Sequence, residues 1–452
     1  MHRLLQGEVG SGKTVVALRA MLTVVDAGAQ AALLAPTEVL ATQHHRSITA
    51  LLGSLAGEGL FATNADSVTV TLLTGSMSTA ARREALLQIA SGQAGIVIGT
   101  HALIQDTVQF ADLALVVVDE QHRFGVEQRA RLSEKAVGAT KPHILTMTAT
   151  PIPRTVAMSI FADMDVSTLS ELPAGRAPIV THVVAAAEQP AHEVRVWTRI
   201  EEEVRQGRKA YVVCAKIGDN AVSDDEEAFI EVPVAVDEGS STTRAPLVGA
   251  VQMFERLRTD ELSALRIELM HGRLPADQRH EAMRRFGLPA TDPEAVDVLV
   301  ATTVIEVGVD VPAASVMVVM DADNFGVSQL HQLRGRVGRG GLPGLCLLVT
   351  HAPSDSPARE RIAVVASSTD GFVLSEYDLR SRREGDVLGA SQSGRHSTLR
   401  LLEVIDDIDI VTAARAAAAT VIDSDPELSD HPLLAAALAD AIADRADYLE
   451  KS

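Results

Sequence analysis

Two cysteines in 452 residues, Cys214 and Cys346, cannot build a disulfide framework. Their scarcity excludes a small disulfide-stapled secreted fold and fits a reducing compartment. No uninterrupted apolar run approaches the roughly 18–20 residues that a membrane span needs, so no membrane partner is expected. A charged-then-apolar leader is also missing at the start, which argues against secretion and for the cytoplasm. Basic residues are short as well: 40 Lys and Arg face 60 Asp and Glu, a net charge of −20. Nucleic-acid binders usually show a basic surface, so this balance points at first away from them. The acids are unevenly placed, however. Residues 218–240 hold eight acids and no Lys or Arg, and residues 403–452 hold twelve against Arg415, Arg445 and Lys451. Together they account for 17 of the 20 negative charges and leave −3 on the remainder. Local basic clusters therefore decide the matter.

What is present is an ordinary globular composition, 46% apolar and 22% charged. The length predicts about three units. Short β-branched runs alternate with helix-like segments at Ala31–Ala35, Val68–Leu73, Gly95–Ile98, Leu113–Val118 and His143–Thr146. A second series follows at Ile179–Val184, Ala210–Cys214, Leu265–Met270, Val296–Val300, Ser315–Val319 and Leu345–Val349. Near-continuous apolar strands of this kind belong to parallel sheets covered on both faces, so two consecutive α/β units are expected. Leu172-Pro173-Ala174-Gly175 reads as the linker between them, and 218–245 as a solvated insertion loop. From about residue 352 the chain reads as helices, including Thr412–Ile422 and Leu433–Ala443.

Gly7-Glu8-Val9-Gly10-Ser11-Gly12-Lys13-Thr14 fits G-x-x-x-x-G-K-[ST]. Leu4 and Leu5 precede it and a helix-like run from Val15 to Val25 follows, so the context is strand, loop, helix. Gly7, Gly10, Ser11 and Gly12 let backbone N–H groups turn inward on an anion, and the helix N-terminus adds partial positive charge. Lys13 is then placed for the β and γ phosphates of a nucleoside triphosphate such as ATP, and Thr14 for Mg²⁺. A ligand-free glycine turn is the bland alternative.

Leu115–Val118 is an apolar strand ending in Asp119 and Glu120, where α/β sheets bind ligands. Asp119 is assigned to the metal and Glu120 to an attacking water. In Gln332-Leu333-Arg334-Gly335-Arg336-Val337-Gly338-Arg339, glycine-flanked arginines suit close, bidentate phosphate contact. Arg336 and Arg339 are the candidates to reach across a cleft from the second unit. Thr148 and Thr150 close the first unit and are assigned to relaying changes at Asp119, though a capping turn has the same sequence. Thr302 and Thr303 suit nucleic-acid phosphates, while Gly308 and Asp310 face the nucleotide. His44, His101, His122 and His271 lack metal-ligand spacing.

These residues resemble, in order, the superfamily 2 helicase motifs: Gln6–Thr14, Ala35–Glu38, Thr74-Gly75, Gly99–His101, Asp119–Arg129, Thr148–Thr155, His271–Arg273, Ala301–Pro312 and Gln329–Gly340. The detailed wording at 119–129, 147–155 and 328–340 is similar to the RecG family of bacterial branched-DNA translocases. That resemblance implies two tandem RecA-like P-loop domains with parallel sheets, at 1–172 and 173–351, followed by a mostly helical translocation segment at 352–452. It implies ATP and Mg²⁺ between the domains, branched or duplex DNA as partner, and a bacterial, nucleoid-associated setting. Position by position it assigns Pro36, Thr37, Thr74, Gly75, Thr100, His101, His271, Thr302 and Thr303 to DNA. It also places Gln332 at the nucleotide and Gln392, in Gly389–Gly394, in coupling.

Three departures temper the resemblance. RecG proteins carry an N-terminal wedge domain and an adenine-reading glutamine, neither of which lies in these residues; a fragment of a longer protein is one expectation. The first strand of the motor sheet is expected to be nearly cut off. Arg382-Arg383-Glu384-Gly385 stands where the family has Arg-Gly-Pro-Gly, Ser391 replaces an arginine, and the acidic insertion lengthens a compact region. Three rivals follow: a non-catalytic DNA- or partner-binding remnant, a motor like that of the transcription-repair coupling factor, and an RNA helicase.

Overall fold

The computed structural model describes residues 1–8, 10–56, 67–119, 141–148, 164–169, 177–218, 248–303, 311–339, 341–381 and 408–443. The assignments at Glu120, Thr150, Gly308, Asp310 and Gln392, the linker at 172–175 and nearly all of the acidic insertion lie outside the described residues.

The first sheet is built from β1 (His2–Gly7), β2 (Gln30–Leu34), β3 (Thr69–Leu73), β4 (Ala94–Gly99), β5 (Leu113–Asp119), β6 (His143–Thr148) and β7 (Asp165–Leu169). All pairings are parallel, in the order β3-β4-β2-β5-β6-β1-β7. Helices α1 (Lys13–Asp26), α2 (Glu38–Leu52) and α3 (Thr79–Ala90) cover it. Alternate residues of one strand enter different cores. Leu33 packs with Met21 of α1 and Ile48 of α2, whereas Ala32 and Leu34 join Ala85 and Ile89 of α3. Burial on both faces is why these strands read as continuous apolar runs.

β1 runs six residues and pairs on both edges, His2–Gln6 with Ile144–Thr148 and Arg3–Gly7 with Asp165–Leu169. Its second partner, β7, is a strand that the apolar pattern did not reveal. Asp-Val-Ser-Thr-Leu is only partly buried and lies at the sheet's edge, so it lacks a continuous apolar run.

The second sheet comprises β8 (Ile179–Ala185), β9 (Lys209–Val213), β10 (Ile267–Met270), β11 (Val298–Ala301), β12 (Ala314–Val319) and β13 (Gly344–Thr350). It is again parallel, ordered β10-β11-β9-β12-β13-β8. Around it lie α4 (Pro190–Arg205), α5 (Ala250–Thr259), α6 (Ala276–Gly287), α7 (Val327–Arg334) and α8 (Pro357–Ser367). Ala210 and Val212 pack with Trp197, Ile200 and Met253; Tyr211 and Val213 face Phe286, Leu330 and Ile362. A buried carboxylate stitches α4 to this sheet: Glu203 accepts bonds from the Ser315 hydroxyl and Arg208 Nη1, each at 2.7 Å, and pairs with Arg199. Burial alone would raise its carboxyl, but those bonds and charges take it below the ordinary range. Cys214 and Cys346 are buried thiols pushed upward by burial, Cys346 to about 12, and so are chemically inert.

Helices α9 (Gly371–Ser381), α10 (Ile408–Ser424) and α11 (Pro432–Ala443) follow, the last two largely exposed where described. Among the described residues, no helix is long and apolar enough to cross a membrane.

Candidate nucleotide and nucleic-acid sites

In a parallel sheet every strand ends on the same edge, and ligands collect there. On the first sheet that edge divides into two halves. The ends of β5, β6 and β1 are adjacent and carry Asp119, Thr148 and Gly7. The ends of β3, β4 and β2 carry Thr74, Thr100 and Pro36-Thr37. On the second sheet His271 and Thr302-Thr303 follow β10 and β11 at this edge, whereas the arginine turn after α7 packs at the strand starts, its Gly338 N–H donating to Ala314 O at 3.3 Å.

The phosphate loop owes its shape to glycine. Gly10 and Gly12 have φ of 85° and 91°, left-handed values that disfavour other residues. At Gly7 an added Cβ would lie 2.6 Å from Ser11 Oγ and 3.0 Å from Leu169 Cβ, so only hydrogen fits. Lys13 Nζ donates to the carbonyls of Gly7 and Glu8 at 2.7 and 2.8 Å, curled onto its own loop. Ser11 Oγ is buried and has no hydrogen-bond partner, a polar group in want of a ligand. Thr14 sits in the first turn of α1, which holds no acidic residue to oppose an anion.

Asp119 ends β5, and its Oδ2 lies 2.7 Å from His44 Nε2 on α2. Thr148 is buried at the end of β6, beside Gln6 of β1 in register. Gln6 is itself buried and donates to Thr168 Oγ1.

On the other half, Thr37 caps α2, its hydroxyl accepting from the Leu40 N–H at 3.3 Å. The neighbouring Glu38 carboxylate accepts from Ser76 N–H at 3.0 Å and Ser76 Oγ–H at 2.6 Å, pinning the turn that leaves β3. Gly75 in that turn is exposed and Thr74 is buried. Thr100 is buried with an unpartnered hydroxyl, and His101 beside it is exposed. On the second sheet, Thr302 is buried and its N–H donates to Met270 O, while His271 and Thr303 are half-buried.

Arg336 is buried, and Arg339 Nε donates to Gly335 O at 2.9 Å. Gln332 lies on α7, one residue after His331. A bridge to the phosphate loop starts there: His331 Nε2 is 4.0 Å from Glu8 Oε1, and the same oxygen accepts from the Gly371 N–H at 3.1 Å. Behind it, Arg334 bonds His331 Nδ1 at 2.7 Å and the carbonyls of Val365 and Ser368. The residues that motif reading missed are thus His44, Glu8, His331 and Gly371. Metal-ligand spacing does not single out His44. Its position two helical turns beyond the Thr37 cap, on the same face, was the available signal.

Two parallel-sheet domains in tandem, one with a lysine-bearing phosphate loop and one with an arginine turn, have a RecA-like, helicase-type architecture. Residues 2–159 match the DEAD/DEAH box helicase family, 241–341 the helicase conserved C-terminal domain, and 368–437 the C-terminal part of domain 3 of ATP-dependent DNA helicase RecG. The chain is similar to RecG proteins along its whole length. It is 52% identical over 453 residues to the ATP-dependent DNA helicase RecG of Mycobacterium tuberculosis strain H37Rv, covering 100% of this chain and 58% of that protein. The Synechocystis RecG is 44% identical over 432 residues, covering 96% of this chain and 46% of the relative. The chain therefore spans about half the length of such curated relatives. A solved RecG bound to a three-way DNA junction matches with a TM-score of 0.65 and 35% identity, over 91% of this chain and 47% of that one. The Mycobacterium smegmatis helicase Lhr, bound to ssDNA and AMP-PNP, shares the fold at a TM-score of 0.55 and 19% identity, over 82% and 46%.

Proposed function

We propose that this chain is the motor portion of an ATP-dependent translocase acting on branched DNA, in the cytoplasm and at the nucleoid of a bacterium. Residues 1–172 form the ATP-binding domain in this reading, 173–351 its partner, and 352–452 the translocation segment. The observation that supports it is the carboxyl edge of the first sheet, with the phosphate loop and Asp119 on one half and Pro36, Thr37, Thr74 and Thr100 on the other. A motor needs this arrangement, because closing one cleft must alter two grips on a strand.

In this reading Lys13 leaves the Gly7 and Glu8 carbonyls to meet the β and γ phosphates of ATP, and Gly10, Ser11 and Gly12 line the anion with N–H groups. The oxygen donors of Thr14 and Asp119 suit a hard cation such as Mg²⁺, which neutralises phosphate charge when bound. Glu120 orients the attacking water, and Arg336 and Arg339 stabilise charge from the second domain, with Gln332, Gly308 and Asp310 at the nucleotide. Pro36, Thr37, Thr74, Gly75, Thr100, His101, His271, Thr302 and Thr303 form the strand-facing halves. Thr148, Thr150 and Gln392 couple the two. The grip on phosphates is salt-sensitive and largely sequence-independent.

An ATPase assay tests the reading. Branched DNA is expected to stimulate turnover more than linear duplex or RNA, and Lys13→Ala to abolish it with the unfolding midpoint preserved. Normal turnover by Lys13→Ala would sink the assignment; preferential stimulation by RNA would replace DNA as the substrate.

A further inference from the structure

Helix α2 is held at two points that belong to different halves of the carboxyl edge. At its N-terminus Thr37 caps it, and Glu38 clamps the turn after β3 through two bonds to Ser76. Two turns further along, His44 Nε2 meets Asp119 Oδ2 at 2.7 Å. Both of these side chains are largely shielded, at 12% and 13% exposed, so water competes weakly for the bond. A carboxylate can only accept, so the imidazole N–H must donate. A donor fixed on a rigid helix holds one carboxylate oxygen in place and thereby sets where the group can meet a cation. Between its ends α2 is anchored in the core by Leu40, Ala41 and Ile48, so a push at Thr37 moves His44 with it.

We propose that His44 is the positioning residue for Asp119, and that α2 is the strut by which nucleic acid at one half of the edge acts on the metal-holding carboxylate at the other. The role rests on the ATP-site reading above. It needs no change in the charge of His44, only the bond. Gln at this position keeps an N–H at a similar reach, whereas Leu keeps volume and loses the donor.

The test is equilibrium binding of mant-ADP to wild type, His44→Gln and His44→Leu, titrated with Mg²⁺ in the presence and absence of branched DNA. Loss of an outer-shell partner typically weakens metal binding by about 10–100-fold, and that loss in apparent Mg²⁺ affinity is expected for His44→Leu. His44→Gln is expected to stay within roughly threefold of wild type by the same reasoning. Branched DNA should shift the Mg²⁺ titration of wild type and of His44→Gln but not that of His44→Leu. Affinity for mant-ADP in EDTA, and the unfolding midpoint, should be unchanged. If His44→Leu does not fold, His44→Asn, too short to reach Asp119, takes its place. Wild-type Mg²⁺ dependence in His44→Leu overturns the proposal, as does an equal loss in His44→Gln. A wild-type chain whose mant-ADP affinity ignores Mg²⁺ would instead bring down the ATP-site reading, and this one with it.

Discussion

Lys209 opens β9 inside the second domain with none of its surface exposed. Its ammonium donates to Val296 O at 2.6 Å and lies 5.3 Å from the centre of the Phe286 ring. Burial drives its pKa down from 10.5 to about 8, with Asp297 opposing the fall and Arg266 adding to it. That drop of roughly 2.5 units is worth about 3.4 kcal/mol against the protonated form in the native state. Between pH 8 and 10.5 the unfolded chain binds more protons at this site, so native stability rises with pH across that window. Lys209→Met keeps the apolar stem and removes the charge, while leaving the Val296 carbonyl short of a donor at a cost of about 1 kcal/mol. The variant should therefore be more stable than wild type by about 2 kcal/mol at pH 7 and less stable by about 1 kcal/mol near pH 10.5. Trp197, the single tryptophan, is buried in this domain's core and reports its urea unfolding directly. Other groups titrate in both proteins, so the difference between them isolates Lys209. A gap that does not change with pH, or a variant less stable at pH 7, would refute the reasoning.

Gly7→Ala drives a Cβ against Ser11 Oγ and Leu169, and overpacking of this kind costs about 1–3 kcal/mol in urea unfolding. Adding Ser11→Ala removes the nearest clash and should recover part of the loss; no recovery would mean that Leu169 sets the limit. Glu8→Ala deletes the acceptor for Gly371 N–H and the partner of His331. Amide hydrogen exchange at Gly371 and in the first turn of α9 should quicken, and unchanged protection would show that the bridge is not held in solution.

The fold was legible because both sheets are buried on both faces, which makes each central strand a local apolar run. Misreadings cluster where that reason lapses. β10 and β11 begin at Ile267 and Val298, two residues later than the apolar runs suggest. Arg266 and Asp297 intervene there, joined by the Asp297 N–H donating to Arg266 O and by the Asp297 carboxylate accepting from the Arg266 backbone and guanidinium. The phosphate loop and the Asp119 strand end were legible because each is one contiguous turn whose residue types are dictated by backbone geometry. The contacts joining them were not. His44 meets Asp119 across 75 positions and Glu8 meets Gly371 across 363, and nothing local marks either partner.

The place of β1 between β6 and β7 has a kinetic consequence. Its partners in the ladder lie roughly 140 or more residues further along the chain, so the strand that launches the phosphate loop gains neither neighbour until those segments have been made and collapsed. Loop closure over such distances is slow compared with the local pairings of β2 through β4. A half-formed domain thus leaves β1, and the turn it leads into, without either neighbour to order it.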